Sequence, residues 1–190
     1  MYIYIWCLGA GKRGIDNYHT ALQLCAKGFS VTIACRNIAK AKSACASIKN
    51  QVGPSTCIDY QILSISICYD IFILNAAILL PKVNYLSQFY LLNELIGTAT
   101  PKEGIKAITL TSTSYRFLSP RIPTRRDHFI KMFSSSDNIS GWQSYARSKL
   151  AIAILGCYLD QVKGIQAISV HPGAISTSLS NNISPRRGKF

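Results

Sequence analysis

Short apolar runs alternate along the chain with stretches in which apolar positions recur every three or four residues. Residues 2–8, 29–35, 56–60, 70–74, 106–111 and 165–170 are apolar segments of strand length. Their near-continuous apolar character suits strands covered on both faces. Helical periodicity runs through residues 14–26, 39–50, 84–97 and 143–163. Strand and helix in alternation predict an α/β protein built on a parallel sheet. Residues 118–141, with prolines, basic residues and Ser134-Ser135-Ser136, read as a long loop, a length often reserved for function or motion. No repeat or domain boundary interrupts the pattern, so residues 1–190 read as a single domain.

One connection is shorter than this architecture prefers. Residues 62–69 alone join the third and fourth strands. A parallel crossover normally takes about a dozen residues or more, usually as a helix. Eight nearly extended residues reach about 27 Å, enough to cross two strands and return, but without a helix to cover that face.

The first strand leads into Leu8-Gly9-Ala10-Gly11-Lys12-Arg13-Gly14-Ile15, placed to open a helix. Glycines between a strand and a helix permit a tight turn and let a pyrophosphate approach the helix N-terminus. Gly9, Gly11, Lys12, Arg13, Gly14 and Ile15 are therefore candidate cofactor-binding positions; the alternative is a glycine-rich turn with no ligand. The second strand ends in Ala34-Cys35-Arg36-Asn37. An acidic residue there would accept hydrogen bonds from the ribose of NAD, whereas arginine accommodates a 2′-phosphate. Arg36, with Lys12 or Arg13, favours NADP(H) over NAD(H). Asp59, ending the third strand, either contacts the adenine amino group or caps the next segment.

Tyr145 and Lys149 stand four residues apart near the start of the last helix, which places phenol and ammonium on one helical face. A fixed positive charge beside a phenol favours phenolate and is expected to pull its pKa towards neutrality, where proton transfer to a carbonyl oxygen is useful. The bland alternative is a surface lysine beside a half-buried tyrosine. The pair gains meaning from order: the glycine turn and the serine-bearing strand end at Thr111-Ser112 precede it, and His171-Pro172-Gly173 follows.

Composition narrows the reading further. A 48% hydrophobic fraction excludes a disordered chain. No apolar run reaches membrane-spanning length, and the first strand begins almost at Met1, so a cytoplasmic location or attachment to the periphery of a membrane is expected. Seven cysteines are scattered without a Cys-x-x-Cys pair; Cys7, Cys35, Cys57 and Cys68 lie in apolar runs and read as small buried hydrophobes. Three histidines without clustered carboxylates argue against a metal site. The net charge of +13 comes from 21 basic against 8 acidic residues. The bases fall in small groups with no nucleic-acid-binding signature, so specific nucleic-acid recognition is not expected; attraction to a phosphorylated cofactor or an anionic membrane surface accounts for the charge as well.

Together these residues resemble a short-chain dehydrogenase/reductase, and within that superfamily the retinol dehydrogenase and WW-domain oxidoreductase-like branch. Ala34-Cys35-Arg36-Asn37, Asn75-Ala76-Ala77, Val83-Asn84 with Phe89-Tyr90-Leu91, Thr111-Ser112 with Arg116-Phe117, Tyr145 to Leu150, and Val170-His171-Pro172-Gly173 carry the resemblance in the family's order. It implies a Rossmann-like, doubly wound, three-layer α/β fold and an oxidoreductase interconverting an alcohol and a carbonyl, with a lipophilic substrate such as a retinoid, steroid or lipid. Tyr145 would be the acid/base, Lys149 would hold the nicotinamide ribose, Ser112 would hold the reacting oxygen, and Asn84 would organise a water relay. Ser114 is a substitute for Ser112. Asn75 and Ala76 would line the cofactor, Pro172 and Gly173 would shape the turn beneath the nicotinamide, and Thr177 would contact its amide. A homo-oligomer is a further implication.

Departures from the family pattern set an alternative beside this reading. Gly9 to Gly14 is one residue longer than the family's spacing, and Asp16 stands where the last glycine would follow; alignment on Gly11 instead puts Ile15 and Asn17 at glycine positions. The crossover after Asp59 is short, and the usual last strand and substrate loop should follow Thr177, where the chain runs into a polar, basic tail. The alternative is a truncated, catalytically weak homologue that binds nucleotide or a protein partner as a scaffold.

Overall fold

The computed structural model describes residues 1–6, 10–11, 14–15, 17–35, 37–61, 69–75, 82–98, 104–118, 125, 127–128, 130–131 and 140–173. In chain order its elements are β1 (Tyr2–Trp6), β2 (Ala10–Gly11), β3 (Gly14–Ile15), α1 (Tyr18–Ala26), β4 (Ser30–Ala34), α2 (Ile38–Val52), β5 (Ile58–Gln61) and β6 (Ile71–Leu74). A π-helical turn (Lys82–Leu86) then leads into α3 (Ser87–Thr98), followed by β7 (Ile105–Leu110), a 3₁₀ turn (Thr113–Phe117), α4 (Gly141–Leu159) and β8 (Ile165–Val170).

Six strands form one sheet in the order β5-β4-β1-β6-β7-β8, and every neighbouring pair is parallel. The order reverses beside β1, which makes this a doubly wound, Rossmann-like sheet with its ligand crevice expected beyond the carboxyl ends of β1 and β6. Side chains alternate across each strand, and the core divides accordingly. Ile3, Ile5, Val31, Ile33, Ile58 and Ile73 pack with Ala21 and Cys25 of α1 and Ala41, Ala44, Cys45 and Ile48 of α2. On the other face Tyr4, Phe72, Leu74 and Ala107 meet Leu91 and Leu92 of α3 and Leu155 and Leu159 of α4. These are the three expected layers.

Tyr69, which leads into β6, packs on one face of the sheet. Phe72, Tyr4 and Thr32 form a row across β6, β1 and β4 by strand register. Tyr69 lies against Tyr4 and Phe72 at ring-centroid distances of 4.7 and 5.7 Å. Its hydroxyl bonds Thr32 and donates to Gln61 Oε1 at 3.3 Å. One tyrosine thus covers part of this face of the sheet. Burial pushes its phenol above the ordinary value of 10, with the Thr32 hydrogen bond opposing and the Asp59 carboxylate reinforcing.

Several sequence expectations are corrected. The helix expected from Gly14 begins at Tyr18, because Gly14–Ile15 pairs antiparallel with Ala10–Gly11 as a small hairpin. Asp59 does not end its strand. It sits within β5 opposite Thr32, with Gln61 opposite Ala34 at the carboxyl end, and its Oδ1 accepts from the Tyr60 N–H at 2.7 Å. Cys57 is exposed rather than buried, whereas Cys35 is buried as expected; Cys7 and Cys68 lie outside the described residues. Among the described residues β8 is an edge strand, with Ile168 59% exposed on it. The expected absence of a last strand and substrate loop after Thr177 falls outside them.

Candidate active site

The last helix is seated by its own start. Ser140 Oγ accepts from Gln143 N at 3.2 Å, and Gln143 Oε1 accepts from Ser140 N at 3.3 Å, a reciprocal cap that satisfies two otherwise free donors. This starts α4 so that Tyr145 and Lys149 fall one turn apart on the side facing β7. Lys149 is 3% exposed. Its Nζ donates to Leu110 O at 2.7 Å, while Thr111 Oγ1 donates to Lys149 O at 2.7 Å. Two bonds therefore strap α4 to the carboxyl end of β7, where Ser112 leaves the sheet.

Ser112 caps the 3₁₀ turn, its Oγ accepting from Ser114 N at 3.3 Å, and its side chain also hydrogen-bonds Tyr145. Lys149 Nζ lies 5.7 Å from the centroid of the Tyr145 ring. Ser112, Tyr145 and Lys149, separate in sequence, are thus one cluster at the carboxyl edge of the sheet. Asn84 joins indirectly: fully buried in the π-helical turn, its Nδ2 donates to Ser148 Oγ at 2.8 Å, and Ser148 Oγ donates to Tyr145 O at 2.7 Å. The chain Asn84–Ser148–Tyr145 ties the turn before α3 to the backbone of the phenol-bearing residue. Ser114, the alternative to Ser112, is buried with an unpartnered Oγ; it is Ser112 that meets the phenol.

The electrostatics reverse one expectation. Tyr145 is not pulled towards neutrality. Burial pushes its phenol above the ordinary value of 10, and the Ser112 hydrogen bond only partly opposes this. Lys149 is buried as well, which lowers its ammonium from 10.5 to about 8. The physical reason is burial, which penalises the charged form of each group: the phenolate of Tyr145 and the ammonium of Lys149.

Around this cluster, sequence reasoning overlooked four contacts. Trp142, one turn before Tyr145, stacks on it at 5.9 Å and 27°, and the indole is 40% exposed. Ser148 and Thr111 position α4, as above. Thr113 Oγ1 lies 3.3 Å from His171 Nε2, linking the 3₁₀ turn to the loop after β8. Spacing of three residues along the helix would have found Trp142; the Thr111 bond to Lys149 depends on the tertiary fold.

The remaining predicted residues divide by place. Pro172 and Gly173 follow β8 and are exposed, and Gly173 has φ 87, a left-handed backbone that favours glycine. Asn75 directly follows β6 and its Nδ2 donates to Asn17 Oδ1. Asn37 caps α2, its side chain accepting from Lys40 N at 3.0 Å. Gly11, Gly14 and Ile15 belong to the hairpin. Asp59 lies within β5, its Oδ1 accepting from Tyr60 N. Gly9, Lys12, Arg13, Arg36, Ala76 and Thr177 lie outside the described residues. Among the described residues no group of three or more His, Cys, Asp or Glu could hold a metal ion, and no helix is long and apolar enough to cross a membrane.

No protein-family model matches the chain, and no curated protein matches it in sequence. Solved structures do resemble it. Salutaridine reductase from Papaver somniferum is similar with a TM-score of 0.68 and 12% identity over 91% of this chain and 86% of that one. A short chain dehydrogenase from Salmonella enterica serovar Typhi gives 0.65 and 15% identity over 98% and 82%. A Shigella flexneri protein assigned to the short chain dehydrogenases and solved with NADP gives 0.65 and 14% over 98% and 83%. At these identities the likeness establishes the fold: this chain has the architecture of those oxidoreductases.

Proposed function

We propose that the protein is a short-chain dehydrogenase/reductase that interconverts an alcohol and a carbonyl with a nicotinamide dinucleotide, NADP(H) in preference to NAD(H). The observation that carries this reading is the convergence of Ser112, Tyr145 and Lys149 at the carboxyl edge of a doubly wound sheet. The chain's own residues fit such a cofactor: Asn17, at the start of α1 beside the switch point, has a buried Nδ2 with no partner, a donor suited to an anionic group. The glycine segment from Gly9 to Ile15, Arg36, Asn75, Ala76, Lys149, Pro172, Gly173 and Thr177 are the positions proposed to hold it, with Asn37 and Asp59 as outer contacts of the adenosine end. When bound, the nicotinamide supplies or accepts the hydride.

The protein's part is position and proton. Ser112 holds the reacting oxygen, and the Tyr145 O–H gives its proton to that oxygen as hydride reaches the carbonyl carbon; the phenolate left behind regains a proton from solvent. Because burial keeps the phenol protonated at neutral pH, Tyr145 is poised as an acid, which favours carbonyl reduction. The reverse reaction needs phenolate and is expected to gain as pH rises. Asn84 and Ser148 keep the phenol in place through the Tyr145 carbonyl. The half-exposed Trp142 ring beside the phenol offers an apolar wall and supports a lipophilic substrate. A homo-oligomer belongs to the same proposal, and the +13 charge suits attachment to an anionic membrane surface.

Titration of the full chain with NADPH and NADH, followed by nicotinamide fluorescence, tests the reading. Binding of NADPH tighter than NADH is expected. Absence of binding of either at millimolar concentration would overturn the oxidoreductase assignment and leave the scaffold alternative.

A further inference from the structure

The start of α1 holds a polar group that the proton-transfer cluster leaves unused. Asn17 immediately precedes the helix and is 1% exposed, yet its side chain makes no capping bond to the helix backbone. Its Oδ1 instead accepts from Asn75 Nδ2 at the end of β6. In this arrangement the amide oxygen faces Asn75 and the nitrogen is left over. The nitrogen is buried and has no hydrogen-bond partner.

A buried donor without an acceptor is costly, and an alanine or glycine at the same position would avoid the cost. Such an orphan is explained when a ligand supplies the acceptor. Three features say what kind of acceptor. The donor sits at the N-terminus of α1, where helix dipole and free N–H groups favour an anion. The first turn of α1 carries no acidic residue. The partner Asn75 directly follows β6, the strand that borders β1, so the amide pair lies at the point where strand order reverses. Gly14, which the sequence placed at this helix start, is instead part of the β2–β3 hairpin; Asn17 occupies the position before the helix in its stead.

We propose that Asn17 Nδ2 is a hydrogen-bond donor to the pyrophosphate of the dinucleotide, with Asn75 orienting its amide. The side chain takes over a task that close-approaching backbone would perform in a glycine turn. This rests on the cofactor reading above. Because pyrophosphate is common to both dinucleotides, Asn17 contributes equally to NADPH and NADH and sets affinity, not the preference between them.

The test is fluorescence titration of the full chain and of its Asn17→Ala and Asn17→Asp variants with NADPH and with NADH, alongside urea unfolding without cofactor. Asn17→Ala is expected to weaken both cofactors by about tenfold or more, as loss of a hydrogen bond to a charged group does, while cofactor-free stability does not fall in step. Asn17→Asp keeps the shape, replaces the donor by a negative charge, and is expected to weaken both further. If the unaltered chain binds NADPH and either variant binds it equally well, the Asn17 assignment is overturned and the cofactor reading stands. A loss confined to NADPH also overturns it, placing the effect at the 2′-phosphate. Failure of the unaltered chain to bind either dinucleotide overturns both.

Discussion

Replacing Lys149 by methionine should change how stability responds to pH, and the expected size follows from its setting. The ammonium is 3% exposed, and burial lowers it from 10.5 to about 8. The unfolded chain therefore binds more protons than the fold between those two values. By linkage, stability rises with pH across that window, and the penalty for holding the charged ammonium is fully present below about 8. At about 1.36 kcal/mol per pKa unit, the penalty near neutrality is about 3 kcal/mol. Methionine removes it but leaves the Leu110 carbonyl, now bonded at 2.7 Å, without its donor. That loss is worth about 1–3 kcal/mol, so the two terms nearly offset and stability at neutral pH alone decides little. The slope decides. Urea unfolding of the unaltered chain and Lys149→Met between about pH 7 and about pH 10 should show their difference moving by about 2–3 kcal/mol in favour of the unaltered chain. Subtracting the variant cancels the other titrations, including Cys45, raised to about 11 chiefly by burial. A difference that stays constant over the range would refute the buried-ammonium account.

Two further perturbations probe the frame that holds the site. A Cβ on Gly156 would stand 2.0 Å from Ser169 Oγ and 3.1 Å from Thr109 Oγ1, where α4 crosses β7 and β8. Gly156→Ala should cost about 1–3 kcal/mol by overpacking, and Ser169→Ala should restore part of it in the double variant; chemical denaturation measures both, and no recovery would contradict the clash. Tyr69→Ala should cost about 3–5 kcal/mol, read from the urea midpoint, because that one ring covers the Tyr4, Phe72 and Thr32 row. A cost below about 1 kcal/mol would show that the crossover segment covers the face without it.

Much of the fold was readable because periodicity reports burial. Residues 165–170 form β8 with the expected limits, and all six sheet strands lie within a residue or two of their apolar runs. That Tyr145 and Lys149 share a helix face was readable from their spacing, and the family resemblance, not periodicity, pointed to Ser112 beside them. What escaped was decided by contacts between distant backbones. The β2–β3 hairpin rests on Ala10–Gly11 pairing with Gly14–Ile15, and glycine-rich segments carry little side-chain pattern to announce it. The direction of the Tyr145 shift could not be read from its neighbour alone, since it is set by burial, with the Ser112 hydrogen bond only partly opposing. Tyr69 looked like one apolar residue in a short link; its cover of the sheet needs Thr32 and Gln61 in register.

The most direct test of the proposed chemistry is the rate of NADPH oxidation with a panel of lipophilic aldehydes and ketones, compared between the unaltered chain and Tyr145→Phe. Phenylalanine keeps the ring against Trp142 and removes only the proton donor. The expected result is a loss of turnover of about a hundredfold or more, with NADPH affinity unchanged. Turnover by Tyr145→Phe equal to that of the unaltered chain would contradict the account.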